Sequence, residues 1–160
     1  MKRLILAVLA ALAAASTAHA AGPQPINLGD PKLKRPGQMK FDPALEAQKD
    51  AFRKFGEVSC NDCEGGKSFD TAANKFLNLR DMYAFDSALG ALDVGQSLNW
   101  RGRGSVGRIT ATSAEAVGPF ACKQLRWELT RGKETRSRDG LVCLGKSNPD
   151  ADNERWLEVF

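Results

Sequence analysis

The chain has 160 residues, 42% of them apolar and 26% charged, with a formal net charge of +4, four cysteines and one histidine. That length argues for one modest domain or two very small ones and excludes a multidomain machine. The histidine is His19, inside what reads as a leader, so a mature chain would carry no imidazole to serve as base, metal ligand or pH switch.

Lys2 and Arg3 precede an unbroken apolar run, Leu4 to Ala15, which gives way to Ser16, Thr17 and Ala18-His19-Ala20. A basic start, a short apolar core and an A-x-A ending are the parts of a secretory signal peptide, with cleavage after Ala20. The run is too short to span a bilayer, which takes roughly 20 residues. The expectation is a protein exported to the periplasm or beyond, as in a Gram-negative bacterium, with no transmembrane segment once the leader is gone. No cysteine follows the cleavage point, so no lipid anchor is expected. Losing residues 1–20 leaves 21 basic against 19 acidic residues. A net charge of +2 gives no reason to expect a nucleic-acid partner.

Residues 21–42 hold most of the prolines, with Lys32, Lys34, Arg35 and Lys40 among them. Proline removes backbone donors and favours extended chain, so this stretch reads as an exposed linker or arm. Residues 43–96 read as helical. Asp42-Pro43 is a helix start, Phe41, Leu45, Phe52 and Phe55 fall near one face, and Gly56 is a stop. Ser68 or Asp70 can cap a second helix with Phe69, Ala72, Ala73, Phe76 and Leu77 inward. Met82, Phe85, Leu89 and Leu92 mark a third. From residue 97 the pattern alternates. Runs at 97–101, 106–112, 120–130, 136–144 and 155–160, punctuated by glycine, predict an antiparallel meander. The fold class is therefore α+β, with short N-terminal helices packed on a C-terminal antiparallel β-meander. Leu125, Trp127 and Leu129 point to a buried sheet face, and Lys123, Arg126 and Glu128 are assigned to the wet one. Trp100, Trp127 and Trp156 are expected in the core.

A two-residue turn at Gly132-Lys133 puts Arg131 opposite Glu134. Counting back equally along both strands brings Cys122 opposite Cys143, within disulfide reach. An oxidising compartment favours that bond. Cys60-Asn-Asp-Cys63 is a C-x-x-C motif. Haem attachment would need histidine where Glu64 stands, and zinc would need two more ligands. A redox pair remains open, although Asp62 and Glu64 disfavour a thiolate. A second, local structural disulfide is the plainer reading.

Gly102-Arg-Gly-Ser-Val-Gly107 fits a dinucleotide-loop pattern by letter, but a strand rather than a helix comes next, so it reads as a strand connection. Asp150, Asp152 and Glu154 alternate as in a calcium loop but lack the glycine and the final glutamate, so they read as a polar turn. No residue pattern requires a cofactor, a metal or a catalytic role. From Leu98 to Lys146 there are 10 basic and 4 acidic residues. This excess is either a solvated face or a binding surface, with Arg126, Arg131, Lys133, Arg136 and Arg138 as its candidate residues and an anionic envelope polymer or an envelope protein as its partner.

Asn99-Trp100, the turn Gly104-Ser-Val-Gly107 before Ile109-Thr110, Gly118 with Cys122-Lys-Gln-Leu125, Gly140 before Cys143, and Trp156 before Val159 occur in that order. Over residues 98–160 this resembles the C-terminal domain of the rickettsial seventeen-kilodalton surface-antigen family of bacterial envelope proteins. The resemblance implies a small β-rich envelope domain with no catalytic residues to carry over. Lys123 and Leu125 stand where that family has arginine and an aromatic, residues 144–155 are extended, and its acylated cysteine and glycine-rich segment are missing. The leading expectation is a non-enzymatic exported envelope protein with a structural or binding role. The rivals are a thiol–disulfide protein using Cys60 and Cys63, and an inhibitor or immunity-type protein acting on an exported hydrolase or toxin.

Overall fold

A computed structural model describes residues 22–61, 64–70 and 84–160. The fold is α+β, with two α-helices among the described residues preceding a five-stranded antiparallel meander. Helix α1 spans Pro43–Phe55. The Asp42 side chain accepts from the Ala44 N–H at 2.7 Å, proline occupies the first turn, and Gly56 caps the end. These are the boundaries read from the sequence, because both helix ends are written in residues that satisfy orphan backbone groups. Helix α2 spans Ala84–Ala91 and buries Leu89. Of the two caps the sequence offers for a second helix, Ser68 does not serve and Asp70 borders residues that are not described. Lys67–Phe69 is instead strand β2, paired with β1 at Glu57–Ser59, and the remainder of that prediction lies outside the described residues.

The meander runs β3 (Ser97–Arg101), β4 (Val106–Val117), β5 (Phe120–Arg131), β6 (Glu134–Gly145) and β7 (Arg155–Glu158), each strand pairing with its neighbour in sequence. The β5–β6 register follows the Gly132-Lys133 turn from Arg131↔Glu134 to Cys122↔Cys143 without a break. Strand β4 continues past the predicted end at residue 112 because the register shifts between Ala111 and Ser113. The irregularity inverts which residues face which side, so the alternation ends in the sequence while the strand goes on. Ile109 belongs to one core and Val117 to the other.

The sheet thus has two occupied faces. On the first, Trp100, Ile109, Leu125, Trp127, Leu129 and Val142 pack beneath Phe52 of α1 and Leu89 of α2. Trp127 is the hub, with ring centroids of Phe85 at 6.0 Å, Trp100 at 6.1 Å and Phe52 at 6.4 Å. Trp100 and Trp127 are buried as expected, and Trp156 is half-buried against the same core. A Cβ on Gly107, the cross-strand partner of Trp100, would fall 2.0 Å from that indole, so the strand pair closes only around a glycine there.

The second face departs from the sequence-based expectation. Residues 22–42 are not a solvated arm but a loop laid on the sheet, burying Leu33, Pro36, Met39 and Phe41 against Val117, Phe120, Leu141 and Phe160. Its proline content suggests openness, yet side chains replace the missing backbone pairing. Asn27 accepts from the Lys40 N–H and donates to the Gln38 carbonyl, Ile26 N–H donates to the Lys40 carbonyl, and Gln38 Oε1 accepts from the N–H groups of Lys34 and Arg35. Apolar residues without any helical or strand period are anchored by this clasp, which is why periodicity does not find them. The Cys122–Cys143 disulfide sits in this second core, both residues buried.

Candidate binding surface

The five basic residues singled out from the sequence do not form one surface. Register places Arg136 and Arg138 on the face covered by the helices and Arg126 on the opposite face. Arg131 donates to the carbonyls of Phe55 and Glu57 at 2.8 Å each, capping the C-terminal end of α1. Arg136 pairs with Glu134 at 2.7 Å and lies over the Phe55 ring. Arg138, its side chain only 9% exposed, pairs with Glu158 at 3.0 Å and stacks 4.4 Å from the Trp127 ring. These three guanidiniums fasten α1 and β7 to the sheet. Lys133 is exposed at the hairpin tip. Lys123, expected on the wet face, points to the helical side, where its ammonium donates to the Gly90 and Leu92 carbonyls at the end of α2. The alternation explains it, since Lys123 has the same parity as Leu125 and Trp127.

What remains open is the half of the second face beyond the reach of residues 22–42. Arg108, Arg126, Thr135 and Ser137 are exposed there, and Glu128, Thr130 and Asp139 are half-buried. Arg108 is the cross-strand partner of Glu128, and Arg126 that of Asp139, with an Arg126–Asp139 separation of 2.9 Å. Arg108 Nε donates to Asn99 Oδ1, and the hydroxyls of Thr130 and Thr135 bond at 2.8 Å. A shallow hollow of about 180 Å³ opens among Asn99, Arg108, Glu128, Thr130 and Thr135. Each cation faces a carboxylate or an amide, so the surface is a patchwork of both signs rather than a basic field. The even positions of β5 carry the signal in the sequence, but Arg108 and Asn99 join them only through the strand register.

The glycine-rich stretch connects β3 to β4, as read, and holds a carboxylate of its own chain. Asp70 accepts from the N–H groups of Arg103 at 2.9 Å and Gly104 at 3.1 Å and from the Ser105 hydroxyl at 2.7 Å, while its carbonyl accepts from Trp100 Nε1. A Cβ on Gly102 would fall 2.2 Å from that carboxylate. Burial pushes the Asp70 carboxyl up, but these hydrogen bonds, with Arg131 behind them, hold it below the usual carboxylate range. Because the folded value is depressed, the stabilisation is present above the unfolded value near 3.9 and is lost as pH falls through the folded one. Burial raises Asp86 and Glu158, the latter against the pull of Arg138, so their contribution runs oppositely: it is full below the unfolded values and is lost as pH rises through the folded ones. Asp70→Asn is expected to cost about 2 kcal/mol at neutral pH and to flatten the acid side of the stability profile below about pH 4. Urea titrations of both proteins from pH 3 to pH 7, with a constant difference between them, would refute this.

Cys60 is disulfide-bonded and half-buried, and Cys63 lies outside the described residues. Asp150 and Asn148 close a turn through the Asp150 N–H and Asn148 Oδ1 that leads into β7. Among the described residues no group of His, Cys, Asp and Glu is arranged to hold a metal, and no helix is long and apolar enough to cross a membrane. Comparison with protein-family models, curated proteins and solved structures gives no match.

Proposed function

We infer that the chain is a non-enzymatic exported protein of the cell envelope, periplasmic or at the cell surface, that works by binding another envelope protein. The observation that carries this reading is the open half of the second sheet face. A sheet buried on its other side by two helices, and on this side only in part, leaves Arg108, Arg126, Glu128 and Thr135 in water on a rigid, disulfide-anchored platform. Alternating charges suit a protein with its own mixed charges better than a polyanion, because each cation already faces an oxygen acceptor. The basic excess of residues 98–146 is mostly spent inside the fold, on Arg131, Arg136, Arg138 and Lys123, which removes the main reason to expect an anionic polymer. The leader-like residues 1–20, the disulfide and the resemblance of residues 98–160 to the rickettsial surface-antigen family support the compartment.

Capture of partners from an envelope extract tests it. The Arg108→Glu, Arg126→Glu double variant is expected to keep its melting temperature within a few degrees and to lose captured protein at least about tenfold. An unchanged set of captured proteins at unchanged yield would sink the assignment of this face.

A further inference from the structure

The fold uses Arg131, Arg136, Arg138 and Lys123 of the sheet to fasten itself, but it treats the cations of residues 22–41 differently. There Lys32, Lys34, Arg35 and Lys40 stand against a single acidic residue, Asp30, a balance of +3. The Asp30 carboxylate is engaged by the Lys32 N–H at 2.8 Å, and none of the four cations forms an ion pair among the described residues. Their placement follows from the way the loop is laid down. Leu33, Pro36, Met39 and Phe41 are buried, and the cations interleaved with them are left on the outer side, Lys32, Lys34 and Lys40 exposed and Arg35 half-buried. Gln38 Oε1 gathers the N–H groups of Lys34 and Arg35, and Asn27 holds the Lys40 N–H, so the basic stretch is folded back on itself. Ile26 lies beside it. Its N–H donates to the Lys40 carbonyl at 2.8 Å, and its side chain, 66% exposed, is the most open of the large apolar ones among the described residues.

We propose that this outer side of residues 26–40 rests on an anionic lipid surface, with Lys32, Lys34, Arg35 and Lys40 at head-group phosphates and Ile26 entering the boundary between head groups and acyl chains. Cations without an internal carboxylate partner meet a charged plane with no ion pair to break first, and long lysine stems reach phosphates from a backbone that stays fixed. A soluble polyanion would engage the cations but leave Ile26 in water. A protein partner suits the mixed charges of Arg108, Glu128, Arg126 and Asp139 on the open sheet face, whereas one sign of charge around an apolar tip is the make-up of a membrane-surface contact. Four cations and one apolar side chain give weak, reversible attachment that salt weakens.

The protein without residues 1–20 is used, because the apolar run at 4–15 would enter a bilayer by itself and both cores lie wholly in the residues retained. It is sedimented with vesicles of equal parts phosphatidylcholine and phosphatidylglycerol, and with vesicles of phosphatidylcholine alone. At low salt, binding to the first is expected to exceed binding to the second at least about tenfold. In about 1 M salt, where the screening length is about 3 Å, the two are expected to converge. Lys32→Glu with Lys34→Glu is expected to keep the melting temperature within a few degrees and to bind the anionic vesicles at least about tenfold less. Ile26→Ser is expected to bind them about threefold to tenfold less with the same salt dependence. Arg108→Glu with Arg126→Glu, on the face proposed for a protein partner, is expected to bind them as wild type does. Equal sedimentation with both vesicle types, or binding that survives Lys32→Glu with Lys34→Glu, overturns the proposal. So does binding unaffected by Ile26→Ser, which marks a site for soluble polyanions, and an equal loss in the Arg108→Glu, Arg126→Glu protein, which marks attraction without a defined surface.

Discussion

Trp127→Ala is expected to destabilise the protein by about 3–5 kcal/mol, enough to leave a domain with about 5–15 kcal/mol of total stability close to unfolding. Trp127 lies among Phe52, Phe85 and Trp100, and Arg138 is stacked on its ring. Removing the indole opens a cavity bordered by β5 and both helices, and it strips the Arg138–Glu158 pair of its apolar cover. Trp127→Phe separates volume from polarity. The buried indole Nε1 has no acceptor among the described residues, so phenylalanine forfeits little hydrogen bonding and is expected to cost no more than about 1.5 kcal/mol. Urea unfolding followed by far-UV circular dichroism measures both. Equal costs for the two variants would show that the hub is not a packing centre.

Replacing Cys122 and Cys143 together by alanine is expected to cost about 3 kcal/mol, the chain-entropy value for closing a loop of about 20 residues. The bridge links β5 to β6 where residues 22–42 rest on the sheet, so its loss should loosen that segment before the helical side. Limited proteolysis in the Lys32–Arg35 region, compared between wild type and double variant, reads this out. Cuts that appear first in α1 would contradict it.

The parts of this fold that are legible in the sequence are those where local chemistry and register agree. The Gly132-Lys133 turn lies between two long alternating runs, so one turn type fixes every pair down to the disulfide. Asp42-Pro43 and Gly56 mark α1 because caps are sequence-local. The illegible parts depend on distant partners. The shift between Ala111 and Ser113 hides half of β4, and residues 22–42 are held by Asn27 and Gln38 reaching back along their own loop. The candidate site suffers most. Alternation assigns Arg126 to an open face, where it lies, but charge alone does not tell it from Arg131, Arg136 and Arg138, whose guanidiniums are structural fasteners. Arg108 and Asn99 enter the surface only once β3 and β4 are aligned beside β5.

The Phe41 ring meets the Phe160 ring at 4.6 Å, and the Leu141 N–H donates to the Phe160 carbonyl. A contact across that sequence separation gives the second core a high contact order, while the β5–β6 hairpin needs only its own neighbours. Assembly therefore has a built-in order: the hairpin can form as the chain emerges, whereas residues 22–42 complete their contacts only once Phe160 has followed.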